Sequence, residues 1–230
     1  MKTFVSLLAG LLLAPAVISA AEFEGKVTFK MTSGKDKAQD IRYAIKNGKF
    51  RIELPGQAGM GGLIVDPVKR ESVVLMDQQK MYMVMAIPDA KATDAKAGKG
   101  DGATLEKTGE TEKILGYTAE KYISKTADAT TELWLAEGLG TFVGFGNSNP
   151  MGGRRGGSAP ATQAWERALA GKEMFPLRVV SRDHANKETF KLEATSIDKT
   201  GLPDAMFTPP ADYQKFDMGG MMKGMMPGNR

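Results

Sequence analysis

The sequence predicts a mainly β, exported domain, and three observations carry that prediction. Apolar and polar residues alternate at period two through most of residues 23–216, as in strands with one wet face. Turn signals break the alternation at short intervals, with Asn47-Gly48 the two-residue hairpin pair. Only Pro160–Ala170 reads as a helix in the mature chain.

Residues 1–21 (MKTFVSLLAGLLLAPAVISAA) read as a secretory signal peptide. Lys2 is the positive end, Phe4 to Leu13 the apolar stretch, and Ser19, Ala20 and Ala21 the small residues of a cleavage site. The stretch is too short to span a bilayer and nothing later is longer, so a soluble protein of the periplasm or the medium is expected. Removing 21 of 230 residues leaves 209, and losing Lys2 takes the formal charge from +4 to +3. The charge is spread along the chain without a basic stripe or interleaved aromatics, which argues against nucleic acid as a partner. With no cysteine, disulfides, a lipidated N-terminal Cys and thiolate metal sites are all excluded. A single domain over 22–216, held by an ordinary apolar core, is therefore expected.

The first half reads as an antiparallel meander of about six strands. Phe23, Gly25, Val27, Phe29 and Met31 alternate with Glu24, Lys26, Thr28 and Lys30, before the turn cluster Ser33-Gly34-Lys35-Asp36. Ile41, Tyr43 and Ile45 resume the pattern; after Asn47-Gly48 come Phe50, Ile52 and Leu54. Leu63–Asp66, Ser72–Met76 and Lys80–Ala86 supply three more strands, with Asp77-Gln78-Gln79 turning before the last. Ile87–Gly102 is small and charged, which suits a solvated loop. Thr104–Thr108, Glu112–Leu115, Glu120–Ser124 and Thr130–Ala136 are the next strands. Gly138–Pro160, with eight glycines, reads as a long mobile loop. In the helix that follows, Trp165, Ala168 and Leu169 share one face and Gly171 suits the C′ position. Phe175–Ser181 and Glu188–Ile197 close the sheet, and the Gly- and Met-rich Asp217–Arg230 reads as a disordered tail.

Little here supports covalent chemistry, so no catalytic residue and no cofactor are expected. His184, the sole histidine, lies in the turn sequence Arg182–Lys187, where an exposed turn residue is the better reading than a base. The glycines at 59, 61 and 62 and at 138, 140 and 144 lack the helix and the Lys-Ser/Thr of a phosphate loop. Methionine, at 15 residues, is the outlier. Met81, Met83 and Met85 line one face of a strand while Tyr82 and Val84 line the other. One face packs on the core; the other either fills it too or borders a soft apolar cavity suited to hydrocarbon. The tail residues Met218, Met221, Met222, Met225 and Met226 offer thioethers for Cu(I), against the alternative of low-complexity sequence.

From Phe175 to Tyr213 the chain resembles the closing strands of the bacterial lipoprotein-localisation-factor superfamily. The likeness lies in Pro176-Leu177-Arg178, a strand ending Ser196-Ile197, and Leu202-Pro203-Asp204 followed by Phe207-Thr208-Pro209-Pro210. FEGKVTFKMTSG, KFRIELPG, the Met81–Met85 strand, GYTAEKY, ELWLAEGLG and AWERALAGKEMFPLRVV resemble an uncharacterised exported bacterial family, a catalogued domain of unknown function. The resemblance implies a curved, incompletely closed antiparallel β-barrel around a hydrophobic concavity, with the lone helix near 160–170 as a lid. It also implies a lipid or lipoprotein acyl chain as the partner. Two positions depart from the carriers: strand-like Glu22–Met31 replaces their leading amphipathic helix, and Lys46-Asn47-Gly48 stands where they place an arginine and a proline. An apolar ligand site is expected at Phe50, Ile52, Leu54, Met81, Met83, Met85, Trp165 and Leu169, with a copper-handling protein or an interaction module with a filled interior as the alternatives.

Overall fold

The computed structural model describes residues 23–53, 61–87, 104–144 and 161–216. Residues 1–21, read above as a signal peptide, together with Leu54, most of the two glycine- or lysine-rich loops and the tail methionines, lie outside the described residues.

The first six strands form the expected antiparallel meander: β1 (Gly25–Ser33), β2 (Gln39–Lys46), β3 (Lys49–Glu53), β4 (Gly62–Asp66), β5 (Glu71–Met76) and β6 (Met81–Ala86). Asn47 and Gly48, at φ 50° and 67°, make the two-residue turn between β2 and β3. The positive φ at both positions matches the right-handed strand twist, which is why Asn-Gly suits that turn. A second group follows, with β7 (Thr104–Ile114), β8 (Tyr117–Lys125) and β9 (Ala129–Ala136) ahead of helix α1 (Ala161–Leu169), then β10 (Phe175–Asp183) and β11 (Glu188–Lys199). β11 pairs back onto β1, so the two groups join in one open, curved sheet. Its strand order is β12-β6-β5-β4-β3-β2-β1-β11-β10-β9-β8-β7, where β12 is Gln214–Lys215. Register shifts in the β1/β11, β9/β10, β10/β11 and β7/β8 pairs bend the strands and help the sheet curl.

Three expectations need correction. Thr104–Thr108 and Glu112–Leu115 are one strand, β7, whose pairing with β8 shifts between Lys107 and Thr111 around Gly109 at φ 84°. Read as a period-two pattern, the extra residues of the shift look like a break. The stretch from Gly138 is packed at its start: Leu139 and Phe142 are 0% and 4% exposed. Glycine content hid two large apolar residues whose burial outweighs the chain entropy of the loop. Finally, a twelfth strand, β12, pairs parallel with β6, whereas the other pairs are antiparallel.

Two cores flank the sheet. The inner face carries the large one, from Val27, Phe29, Tyr43, Phe50 and Ile52 across to Leu133, Leu177, Val179 and Leu192. The outer face of β2 to β6 carries a smaller one, in which Ala44, Ile64 and Leu75 are covered by Leu202 and Phe207, with Val73, Tyr82, Met206 and Tyr213 at its margin. The chain after β11 thus crosses the back of the meander as an arm before adding β12 to its edge. Lys46 anchors the arm by donating to the Leu202 carbonyl and pairing with Asp204 at 2.9 Å and Glu24 at 3.4 Å. Glu24 also accepts the Leu202 N–H. Lys46 holds the Asp204 carboxyl below its ordinary pKa through a hydrogen bond and its charge.

Candidate functional site

Cross-strand pairing decides which way the methionines of β6 point. Met83 lies opposite Val74, Val74 opposite Leu63, Leu63 opposite Ile52, Ile52 opposite Tyr43 and Tyr43 opposite Val27. The neighbouring row runs Met85, Ser72, Val65, Phe50 and Ile45. Residues paired across strands share a face, so Met81, Met83 and Met85 stand on the inner face with Phe50 and Ile52. Tyr82 and Val84 point outward, with Tyr82 against the arm's cluster.

Burial along these rows is graded. Val27, Tyr43 and Ile52 are 0% exposed and Phe50 3%, while Met81, Met83 and Met85 are half-buried. The inner face is therefore an apolar strip, with the buried Ser72 hydroxyl in its second row, covered over β1 to β3 and partly uncovered at β6. Met31, Met85 and Ile87 are partly buried against the same core and extend its rim.

The cover is a stack of three rings. Phe142 lies parallel to Tyr43 at 5.6 Å on one side and to Trp165 at 5.7 Å on the other. Tyr43 donates its phenol to the Val143 carbonyl, tying the strap around residues 139–144 to β2. Burial, and after it the charge of Glu166, pushes the Tyr43 phenol well up, so it remains a protonated donor. Gly144 closes the strap against α1, where a Cβ would lie 2.6 Å from the Glu166 carboxylate. Helix α1 ends as the sequence requires, with Gly171 at φ 74°. Trp165 and Leu169 are both fully buried in the inner core. The main strand neighbours of α1 are β7 and β9, so it sits at the opposite end of the sheet from β6 and reaches the strip through Phe142.

Of the expected site residues, Phe50, Ile52 and the three β6 methionines share one surface; Trp165 and Leu169 belong to its cover; Leu54 lies outside the described residues. Sequence reasoning missed Tyr43, Phe142 and Leu139 as site residues, although the apolar residues within GLGTFVGFG were a usable signal of packing. Among the described residues two buried polar atoms lack a hydrogen-bond partner, the Trp165 Nε1 and the Ser124 Oγ. Ser124 ends a row of buried hydroxyls in which Thr131 and Ser181 bond each other at 2.9 Å.

The outer face of β7 to β11 is chemically different. Arg178 makes two hydrogen bonds to the Glu112 carboxylate, at 2.9 and 3.1 Å, and Lys121 pairs with Glu110 and Glu132. Trp134 lies between them, 5.7 Å from the Lys121 ammonium and 5.9 Å from the Arg178 guanidinium. His184 is exposed in the β10–β11 turn beside a shallow polar cleft of about 330 Å³ lined by Thr130, Glu132 and Arg182. Among the described residues no three His, Asp or Glu side chains group as metal ligands, and no helix is long and apolar enough to cross a membrane.

Fold and site together define a class: an open, curved β-sheet protein with an apolar inner face under a helix and strap. The chain belongs to the family described as Domain of unknown function (DUF4412), whose model matches residues 23–213. A solved structure of an uncharacterized conserved protein from Thermus thermophilus shares the fold at 14% identity and a TM-score of 0.51, over 87% of this chain and 93% of that one. The MucA/MucB complex from Pseudomonas aeruginosa matches at 10% identity and a TM-score of 0.45, over 83% and 57%. A LolA superfamily protein from Nitrosomonas europaea matches at 12% identity and a TM-score of 0.30, over 83% and 91%. No curated protein matches the chain.

Proposed function

We propose that this is an exported, non-catalytic binding protein, cleaved after residue 21, working in the periplasm of a Gram-negative bacterium and accepting an acyl chain or similar apolar ligand on the inner face of β1 to β6. The observation that supports this reading is the apolar strip that begins at Val27 and runs out into the half-buried methionines of β6. Thioether side chains are flexible and polarizable, and adapt to hydrocarbon of varied length. Entry begins at Met81–Met85 and deepens toward Phe50 and Ile52 as the Tyr43–Phe142–Trp165 stack yields. That stack holds a buried indole N–H without a partner, which weakens the closed packing by about 1–3 kcal/mol relative to a satisfied donor.

A second reading is favoured by a separate observation. Ile52, Trp165 and Leu169 are completely enclosed, so no water-sized space adjoins them in this state. An interior that stays filled makes the protein an interaction module whose surface, rather than its concavity, meets a partner.

Tryptophan emission separates the two, because Trp165 is buried and Trp134 is half-buried on the outer face. In a Trp134→Phe background, palmitate should shift the Trp165 emission saturably. Ile52→Glu should remove that shift while circular dichroism verifies the fold, since a buried unpaired charge also strains it. No saturable response to any acyl ligand at about 50 μM, near −6 kcal/mol of affinity, rejects the carrier reading in favour of the interaction module.

A further inference from the structure

Most of the inner face is hydrocarbon, but one row across its second half is polar. Leu105, Ser124, Thr131, Ser181 and Phe190 stand opposite one another on β7, β8, β9, β10 and β11, and so share the inner face. The three hydroxyl residues are 2%, 3% and 0% exposed. Helix α1 lies against β7 and β9, and its fully buried Trp165 ring stands 6.5 Å from the Phe190 ring at the end of the row. Buried hydroxyl and indole groups normally find partners, because a buried group left unpaired bears its full desolvation penalty. Here the Ser124 Oγ and the Trp165 Nε1 have none. Thr131 and Ser181 bond each other at 2.9 Å, and whichever donates, the other keeps a hydrogen to give.

The chemistry of this set is selective. Three hydrogens on neutral groups have no acceptor, and the indole can only donate. A carbonyl oxygen offers two lone pairs and brings no charge into the core. A carboxylate would need a compensating cation. Lys107, the cation next to the row in register, is already paired with Glu120 at 2.7 Å and its side chain is 56% exposed. Reach fits as well. From β10 across β11, β1 and β2 to β3 is four strand spacings, about 19 Å. A palmitoyl chain covers that distance, from the hydroxyls to Phe50 and Ile52.

We propose that Ser124, Thr131, Ser181 and Trp165 form a polar subsite for an uncharged acyl carbonyl, so that the ligand is an ester or amide of a long-chain acid rather than the free acid. The inference deepens the acyl-ligand reading given above and rests on it. The carbonyl oxygen accepts from the Ser124 hydroxyl and the Trp165 indole, while the chain lies over β11, β1 and β2 toward β3. Donors kept without partners lower the stability of the fold and favour the ligand that completes them, the trade expected of a binding site.

Three ligands of equal chain length test this: monopalmitoylglycerol, its ether analogue hexadecylglycerol, in which a methylene replaces the carbonyl, and palmitate. Titrated into the protein carrying Trp134→Phe, the ester should bind about fivefold more tightly than the ether, the worth of one neutral hydrogen bond. It should also bind more tightly than palmitate. With one tryptophan left, the indole N–H gives a single nitrogen-15 resonance, which the ester should move downfield and the ether should not. Ser124→Ala should cut the ester's advantage while leaving the melting temperature the same or higher, since it removes a buried hydroxyl without a partner. A lowered melting temperature with the preference for the ester intact makes the row ordinary packing and overturns the proposal. Equal affinity for ester and ether overturns it too, as does palmitate binding as tightly as the ester, and in both cases the acyl-ligand reading stands. If none of the three binds, that reading falls and the subsite with it.

Discussion

The β4–β6 end of the sheet is largely apolar on both faces, while β7–β11 are mostly apolar inside and charged outside. In β4, Gly62 to Val65 are all buried, and β5 buries Ser72, Val74 and Leu75. In β8 and β9 the outward residues include Lys121, Glu132 and Trp134, joined to Arg178 and Arg182 by ion pairs and ring contacts. The difference comes from what lies behind each half. The arm from Leu202 to Tyr213 crosses the first and gives its outer side chains an apolar partner; the second faces water. A covered sheet face loses the need for polar side chains, and with it the alternation that makes a strand easy to recognise.

The contrast between the halves is most vulnerable at the arm. Phe207→Ala should destabilise the protein by about 3 kcal/mol, since it empties the centre of the outer cluster. Hydrogen exchange should then quicken in β5 and β6 but not in β8 and β9; uniform quickening would show that the two halves unfold as one unit.

On the charged face the expected effect is smaller. Arg178→Met removes both ion pairs of a side chain 26% exposed. Stability should fall by about 1 kcal/mol at most, because partly exposed pairs are screened by solvent. Denaturant melts in low and high salt check this, as the loss should shrink when salt screens the pairs.

The turns separate the halves in a further way. Asn47-Gly48 serves the first half, whereas Leu115-Gly116 joins β7 and β8 with Leu115 at φ 50° and 44% exposed. Leucine is strained in that left-handed conformation and asparagine is suited to it. Leu115→Asn should therefore raise stability by about 0.5–1 kcal/mol. A thermal melt unchanged or lowered would place the strain elsewhere.

The subtlest effect is in pH. The Asp204 carboxyl sits below its ordinary value because Lys46 bonds it, so its contribution is present above the unfolded pKa and fades as pH falls through the folded one. Protection of arm amides such as Met206 should decline from about pH 5 to 3, and Lys46→Met should flatten that decline. An unaltered slope in the variant would remove Asp204 as its source.

Much of this architecture was legible in the sequence for identifiable reasons. The six-strand meander could be read because its turns carry Asn, Gly, Asp and Gln at the reversals and its strands alternate or run apolar. The helix could be read because Trp165 and Leu169 recur at helical spacing before Gly171. β12 could not, since two polar residues carry no period, and its pairing is set by the Lys80 and Tyr82 carbonyls on a strand over 130 positions away. The arm's cluster was equally hidden, because Leu202 and Phe207 stand singly among prolines and charges and gain meaning only against Ile64 and Leu75. Of the expected site, Phe50 and Ile52 followed from alternation, but the direction of the β6 methionines did not.

Local sequence was enough to set the mainly β class, the order of the strands in the first meander, the single described α-helix and the residues able to form an apolar surface. These depend on backbone preference and on short-range periodicity, both written within a few neighbouring residues. Long-range packing alone decided that β11 joins β1, that the arm covers the back of one half and that Met81, Met83 and Met85 share a face with Phe50 and Ile52. In β6 both candidate faces are apolar, so hydropathy has no preference between them. The hydrogen-bonded register of five pairings across six strands fixes the orientation, because a slip of one residue in any pair would turn every methionine to the other side.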